Sequence, residues 1–260
     1  MILISFDIEE FDMPFEYGKN ITFEDQINIS ISGTNVILDL LKKHNAKATF
    51  FSTATFAINA PNEIKRIIDE GHEIASHTYF HGNFNNKDLV LSKRKLEEIT
   101  KTDVIGLRMP RMYPVDNQEV FNAGYIYNSS INPTYLPGRY NNFHKPRTYF
   151  NENNVIQIPA SVSPIIRFPL FWLSFHNLPL WLYKMLCSWT LKKDKYLNIY
   201  FHPWEFTDLN QPERFGFPRY VSKNSGDKMT ERLDNLLVWI NKNKYKTHIF
   251  KDLISKIQTK

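Results

Sequence analysis

The segment Glu73-Ile74-Ala75-Ser76-His77-Thr78-Tyr79-Phe80-His81-Gly82 decides how the rest of the chain is read. Its two histidines stand four positions apart, so both imidazoles face one point if the chain turns helically there, and a divalent metal is the natural occupant. Histidine pairs also arise by chance in a chain with eight of them, and position has to carry the weight. Asn62 to Glu70 reads as a helix with Ile64, Ile67 and Ile68 on one side, Gly71 fits the residue just past its end, and His72 to Ser76 reads as a buried strand. His77 therefore falls at the C-terminal end of a strand. α/β architectures collect ligands and catalytic groups at that end, because the strands hold the base while the loops carry the chemistry.

Working toward the N-terminus, Lys47 to Ser52 reads as a strand and Thr34 to His44 as a helix with Val36, Ile37, Leu40 and Leu41 inward. The stretch before it, up to Ser32, reads as a long polar segment. Met1 to Asp7 is an apolar strand, and Asp7-Ile8-Glu9-Glu10-Phe11-Asp12 gathers four carboxylates where it ends. Like charges at the end of a buried strand repel unless a cation lies between them, although such a cluster also suits a solvated loop.

Toward the C-terminus, Lys87 to Thr100 reads as a helix, and Val104 to Leu107 as a strand ending in Arg108-Met109-Pro110-Arg111-Met112-Tyr113-Pro114. The two prolines restrict the backbone so that Arg108 can be aimed back at the strand ends. A helix at Asp116 to Ala123, a strand at Tyr125 to Tyr127, an irregular excursion from Asn132 to Asn154 and a strand at Val155 to Ile158 follow. Tyr196 to Phe201 is a strand that delivers His202-Pro203-Trp204-Glu205 at its end. Asp227 to Asn243 then reads as an amphipathic helix, Thr247 to Phe250 as a strand and Lys251 to Ile257 as a closing helix. About seven strand-helix units predict an α/β fold: a distorted (β/α)7-type barrel, a single domain over residues 1–260, with its site at the strand C-termini.

Composition narrows the function. A formal charge of +5 from 32 basic and 27 acidic residues is a mild bias that suits a solvated face and points away from nucleic acid. The lone Cys187 excludes an intrachain disulfide framework and reads as a buried apolar residue, and the chain starts directly in a strand without a leader, so a cytoplasmic setting is expected. Ser163 to Trp189 is dense in Phe, Trp and Leu, but Pro164, Pro169, Pro179, Arg167, His176 and Lys184 argue against a membrane span. It is expected to roof the core or to expose an apolar patch that touches a membrane peripherally, with Arg167, Lys184, Lys192 and Lys193 meeting anionic headgroups.

Taken together, Ser5-Phe6-Asp7, Ser76-His77-Thr78-Tyr79-Phe80-His81, Arg108-Met109-Pro110 and Ile199-Tyr200-Phe201-His202-Pro203 resemble, in order, the motifs of the polysaccharide deacetylases, metal-dependent sugar N-deacetylases. Ala48-Thr49-Phe50-Phe51 and Gly71-His72-Glu73-Ile74-Ala75 are also similar, and the resemblance spans residues 1 to roughly 250. It implies one divalent ion, zinc or another transition metal, on His77 and His81, with Asp7 as general base, Arg108 holding Asp7, and His202 as general acid. The family pattern places a second aspartate directly after the first, whereas Asp7 is followed here by Ile8; Glu9, two places on and on the same side of the strand, is the expected third ligand. Tyr113, Arg111 and Trp204 are expected at the substrate, with backbone N–H groups near Tyr113 at the oxyanion. Asn128 stands where related sequences often carry aspartate, which leaves the partner of His202 open.

The resemblance implies removal of an N-acetyl group from an amino sugar in a polysaccharide, oligosaccharide or lipid-linked glycan. A carbohydrate or glycolipid is then the partner, and the oligomeric state is not given. Two other readings stay open: hydrolysis of a sugar formamide or an allantoin-like amide, and a catalytically inactive sugar-binding protein that keeps its metal. The joint presence of Asp7, Arg108 and His202 speaks against the last, because a purely structural site needs only ligands.

Overall fold

Ile2 to Ile8 is buried at every position on both faces, the mark of a central strand in a covered parallel sheet. In the computed structural model, which describes residues 1–82 and 84–259, this is β1. The other strands are β2 Thr49–Ser52, β3 Glu73–Ser76, β4 Gly106–Leu107, β5 Tyr127–Asn128, β6 Tyr135–Leu136, β7 Tyr140–Asn141, β8 Phe150–Glu152, β9 Val155–Gln157, β10 Leu197–Phe201 and β11 Thr247–His248. Seven of them run parallel in the order β10-β1-β2-β3-β4-β5-β9; β8 adds an antiparallel edge, and β11 pairs with the first residues of β1. The backbone N–H of Ser161, just past β9, donates to the Asn198 carbonyl in β10 at 2.8 Å, and Asn198 Nδ2 donates to the Pro159 carbonyl at 3.0 Å. These bonds draw the two ends of the parallel set together. The expected α/β barrel-like sheet is thus present as a curled half-barrel.

The helices are α1 Phe23–Lys43, α2 Ala54–Asn59, α3 Pro61–Asp69, α4 Lys87–Thr100, α5 Asn117–Asn122, α6 Trp172–Asn177, α7 Leu180–Asp194, α8 Pro212–Phe215, α9 Arg219–Ser222, α10 Asp227–Lys242 and α11 Phe250–Gln258. α3 ends as its sequence requires, with Gly71 at φ +76° and its N–H on the Ile68 carbonyl. α1 differs from expectation: it begins at Phe23 rather than Thr34, capped by Thr22 Oγ1, which accepts from the Asp25 N–H at 3.1 Å. Its first half hides small and polar groups (Gln26, Ser30, Gly33, Thr34) instead of an apolar stripe, so hydrophobic periodicity does not reveal it. That face packs on loop backbone: Ser30 Oγ donates to the Glu9 carbonyl at 2.6 Å.

The segment after β3 does not turn helically. Thr78 takes a left-handed conformation at φ +69°, Thr78 Oγ1 donates to the Phe80 carbonyl, and the Thr78 and Tyr79 carbonyls accept from the first N–H groups of α2. A loop strapped to a helix start brings the two imidazoles together. The excursion from Asn132 to Asn154, expected to be irregular, contains the β6–β7 hairpin and β8. In the apolar segment the prolines do break the chain, and Leu170, Phe171, Phe175, Tyr183 and Cys187 are buried while Ile165, Ile166, Trp181 and Met185 are exposed. Arg167 is not available to a headgroup, since its Nη1 donates to the Pro133 and Lys145 carbonyls. No helix among the described residues is long and apolar enough to cross a membrane.

Candidate metal and catalytic site

Asp7 and Glu9 leave the end of β1 on the same side and are both buried. Arg108, at the end of β4, is 0% exposed and forks around that end of the sheet. Its Nη1 donates to Asp7 Oδ1 at 2.6 Å and to Ser5 Oγ at 3.0 Å, its Nε and Nη2 donate to the carbonyl and Oγ of Ser129, and its plane lies over the Phe51 ring, 4.0 Å from the ring centre. A guanidinium out of water requires a carboxylate beside it, so Arg108 and Asp7 fix each other.

His77 and His81 follow β3. The Arg108 carbonyl lies 2.8 Å from His77 Nδ1, and Asp12 Oδ1 lies 2.7 Å from His81 Nδ1. Each acceptor holds a proton on Nδ1 and leaves the Nε2 lone pair free. The two Nε2 atoms approach Glu9 Oε2 at 3.0 and 3.1 Å, and that oxygen is buried without a hydrogen-bond donor. Three lone pairs therefore converge on one point, and Glu9, His77 and His81 have the donor set and spacing to hold a metal ion. Burial works against charge at Glu9, yet His81 and His77 bring its carboxyl down to about 2. Burial likewise lowers His81, but Glu9 and Asp12 outweigh it and raise the imidazole. The pocket is built to favour a positive charge between these groups.

His202 ends β10. Its backbone N–H donates to Glu205 Oε1 at 2.6 Å, and its Nδ1 is 3.0 Å from the same oxygen. Nε2 is left 3.9 Å from Asp7 Oδ2. Trp204 stacks on the His202 ring at 4.7 Å and 17°, with its Nε1 3.5 Å from Glu9 Oε1. Burial tends to discharge His202, but Glu205, Glu9 and Asp7 raise it overall. Asn128 takes no part: its Oδ1 accepts from the Ser130 N–H and its Nδ2 reaches Asn117. The partner of His202 is Glu205, and the sequence signal was an acid three residues on, the spacing of a single 3₁₀ turn from Pro203 to Phe206.

A cleft of about 200 Å³ is lined by Asp7, Glu9, His77, His81, His202, Trp204 and Arg111, and also by Phe171, Trp172, Tyr200, Arg139 and Tyr140. Phe171 and Trp172 thus belong to the cleft and not to an outward flap. Arg111 spends its donors behind the candidate ligands, on both Asp12 oxygens, on Glu16 Oε1 and on the His81 carbonyl. It positions Asp12 and, through it, His81. Tyr113 corrects the expectation: it is 56% exposed and lies outside the cleft lining, while its N–H and that of Met112 are taken by the Pro110 and Met109 carbonyls, so neither donor faces an oxyanion. Asp12 was the other residue missed. It belonged to the carboxylate cluster, but nothing local tells which acid faces an imidazole.

Residues 19–112 match the family model for polysaccharide deacetylase. That stretch holds His77, His81 and Arg108, whereas Asp7, Glu9 and His202 lie outside it. A peptidoglycan-N-acetylglucosamine deacetylase of Bacillus cereus is 49% identical over 94 residues, 36% of this chain and 32% of the relative. A chitooligosaccharide deacetylase of Rhizobium leguminosarum bv. trifolii is 28% identical over 135 residues, 48% of this chain and 61% of the relative. The chain spans about a third of the length of the first curated relatives it matches. A solved structure, a probable polysaccharide deacetylase from Pseudomonas aeruginosa PAO1, shares the fold with a TM-score of 0.68 at 15% identity, over 96% of this chain and 88% of that one. Four ordered strand-end motifs converge on one cleft, residues 19–112 are similar in sequence to the polysaccharide deacetylase family, and the chain shares the fold of a solved structure described as a probable polysaccharide deacetylase.

Proposed function

We propose that this protein removes the N-acetyl group from an amino sugar in a glycan, with a divalent ion, zinc by the character of its two imidazoles and one carboxylate. The observation that carries the reading is the pairing, in one cleft, of a three-acceptor cluster at Glu9 Oε2 with a proton acceptor and a proton donor 3.9 Å apart. An ion held by Glu9, His77 and His81 would supply Lewis acidity and make water more acidic near neutral pH. Asp7 would be the group that takes a proton from the attacking water: Arg108 holds Oδ1, and Oδ2 stays toward His202. The departing amine needs a proton, and His202, whose imidazole is lowered by burial but raised overall by Glu205, Glu9 and Asp7, presents Nε2 to donate it. Trp204 stacked on the ring and Glu205 on Nδ1 fix the direction of that donation. The peptidoglycan and chitooligosaccharide deacetylases among the relatives support an N-acetylated glycan as the substrate class. Acetate and formate release from zinc-loaded protein, on chitooligosaccharides, peptidoglycan fragments, an N-formyl sugar and allantoin, tests the reading. Formate alone, or turnover of allantoin alone, selects the other amidase reading, and binding without release selects the inactive one.

A lipid-linked carrier for that glycan is favoured by one observation. Ile165 and Trp181 are 82% and 69% exposed, Ile166 and Met185 are exposed with them, and Lys192 and Lys193 stand at the end of the same helix as Trp181. Exposed apolar side chains at the start of α7 and lysines about three turns further along it suit the surface of an anionic bilayer.

A further inference from the structure

His176, in α6, is an imidazole that the chemistry above does not use. It is fully buried, and neither of its ring nitrogens has a hydrogen-bond partner. Glu205 is equally buried, and its two oxygens are treated unequally. Oε1 accepts from both the N–H and the Nδ1 of His202, while Oε2 has no partner and lies 3.9 Å from His176 Nε2. A buried polar atom without a partner is costly, and an apolar side chain would fill this space without that cost. A histidine here is explained if the two sets of unpartnered atoms serve each other. Trp172 stands edge-on to both rings, 6.4 Å from His176 and 5.5 Å from His202, so one indole packs against both.

Charges around His176 decide the form in which it acts. Arg232 of α10 and Lys223, just after α9, face it, Arg232 donating to the Phe175 and Leu178 carbonyls on either side of it, and Glu205 is the acid nearby. Burial and the two cations bring the imidazole down to about 4, so near neutral pH it is uncharged and has one N–H to give.

We propose that His176 is a positioning residue for the general acid: its Nε2–H holds Glu205 Oε2, so that Glu205 stays fixed on His202 and the Nε2 of His202 stays aimed into the cleft. This rests on the assignment of His202 as proton donor. Closing 3.9 Å to a hydrogen bond of about 2.9 Å needs a shift of about 1 Å, within the reach of the terminal torsions of Glu205 and His176. The chain from His176 through Glu205 to His202 then has a defined donor at every step.

The test compares His176→Phe, which keeps a buried ring and removes the donor, with His176→Gln, which returns an N–H. On the zinc-loaded enzyme, His176→Phe is expected to lower kcat about tenfold to a hundredfold with KM little changed. It should also move the alkaline limb of the kcat–pH profile to lower pH, because a loosened Glu205 no longer holds the proton on His202. His176→Gln should recover most of both. Imidazole nitrogen NMR of His202 reads the same change without substrate, so a failure to find any substrate sinks the deacetylase reading and still leaves this one decided. Unchanged His202 nitrogen signals and an unchanged alkaline limb in His176→Phe, whether or not stability falls, overturn the proposal. Should His176→Phe not fold, His176→Asn, too short to reach from the Nε2 position, takes its place with the same expected outcomes.

Discussion

Gly33→Ala sets two physical effects against each other with opposite signs. Within a long helix such as α1, alanine is favoured over glycine by about 1 kcal/mol, so propensity alone predicts a more stable protein. A Cβ on Gly33 would meet the Pro203 carbonyl oxygen at 1.8 Å and its carbon at 2.4 Å, both backbone atoms. Ordinary contact begins near 3.4 Å, so helix and turn must part by about 1.6 Å, the difference of the two distances. Overpacking of this kind costs typically about 1–3 kcal/mol or more, and rigid backbone on both sides puts Gly33 at the upper end. The net expectation is a destabilisation of about 2 kcal/mol or more. Pro203 directly follows His202, so the same displacement shifts the proposed proton donor, and a misplacement of about 1 Å can cost about 10² in turnover. Urea unfolding and acetate release on the same preparation read both effects. A Gly33→Ala protein that resists urea better than the parent and turns over at the parent rate would refute the claim that α1 is seated directly on the catalytic turn.

Asp12→Asn should weaken zinc binding about 10- to 100-fold without removing a ligand, because the carboxylate that orients His81 is lost; competition with a chelating indicator measures it. Asp7→Asn should keep the ion and the fold and lower kcat by about 10² or more, whereas parent-like turnover would remove Asp7 from the reaction. His72 is buried, and burial with Lys47 nearby brings it down to about 4. Its folded value lies below its unfolded one, so its stabilising contribution is complete above about pH 6.5 and is lost as pH falls through about 4; His72→Asn should flatten the fall of the urea midpoint in that window. Co-sedimentation with anionic vesicles at low salt should capture the parent protein and release Ile165→Ser/Trp181→Ser. Equal binding of both, or of neither, rejects the membrane contact.

The sequence made the sheet legible because its longest strands, β1 and β10, are largely apolar runs and because Gly71 ends the helix before β3. It made Asp7, His77, His81, Arg108 and His202 legible as strand-end residues, since a parallel sheet delivers all its C-termini to one rim. The first half of α1 was hidden because its buried face carries Ser30, Gly33 and Thr34, chosen for close approach to backbone and not for burial of hydrocarbon. Glu205 and Asp12 were hidden for another reason: both act on imidazoles through side-chain geometry that no period encodes. Tyr113 was misplaced because Arg111 and Met112 both take left-handed conformations, at φ 54° and 55°, and the turn they form leaves Tyr113 outside the cleft. Arg111 lines the cleft, with its donors committed to Asp12 and Glu16.

The most direct measurement of the central claim is zinc titration into metal-stripped protein while acetate release from an N-acetylated chitooligosaccharide or peptidoglycan fragment is followed. Acetate release should rise with zinc and saturate at one ion per chain, with both binding and release lost in His77→Ala. Release that is independent of zinc, or full zinc binding by His77→Ala, would contradict the account.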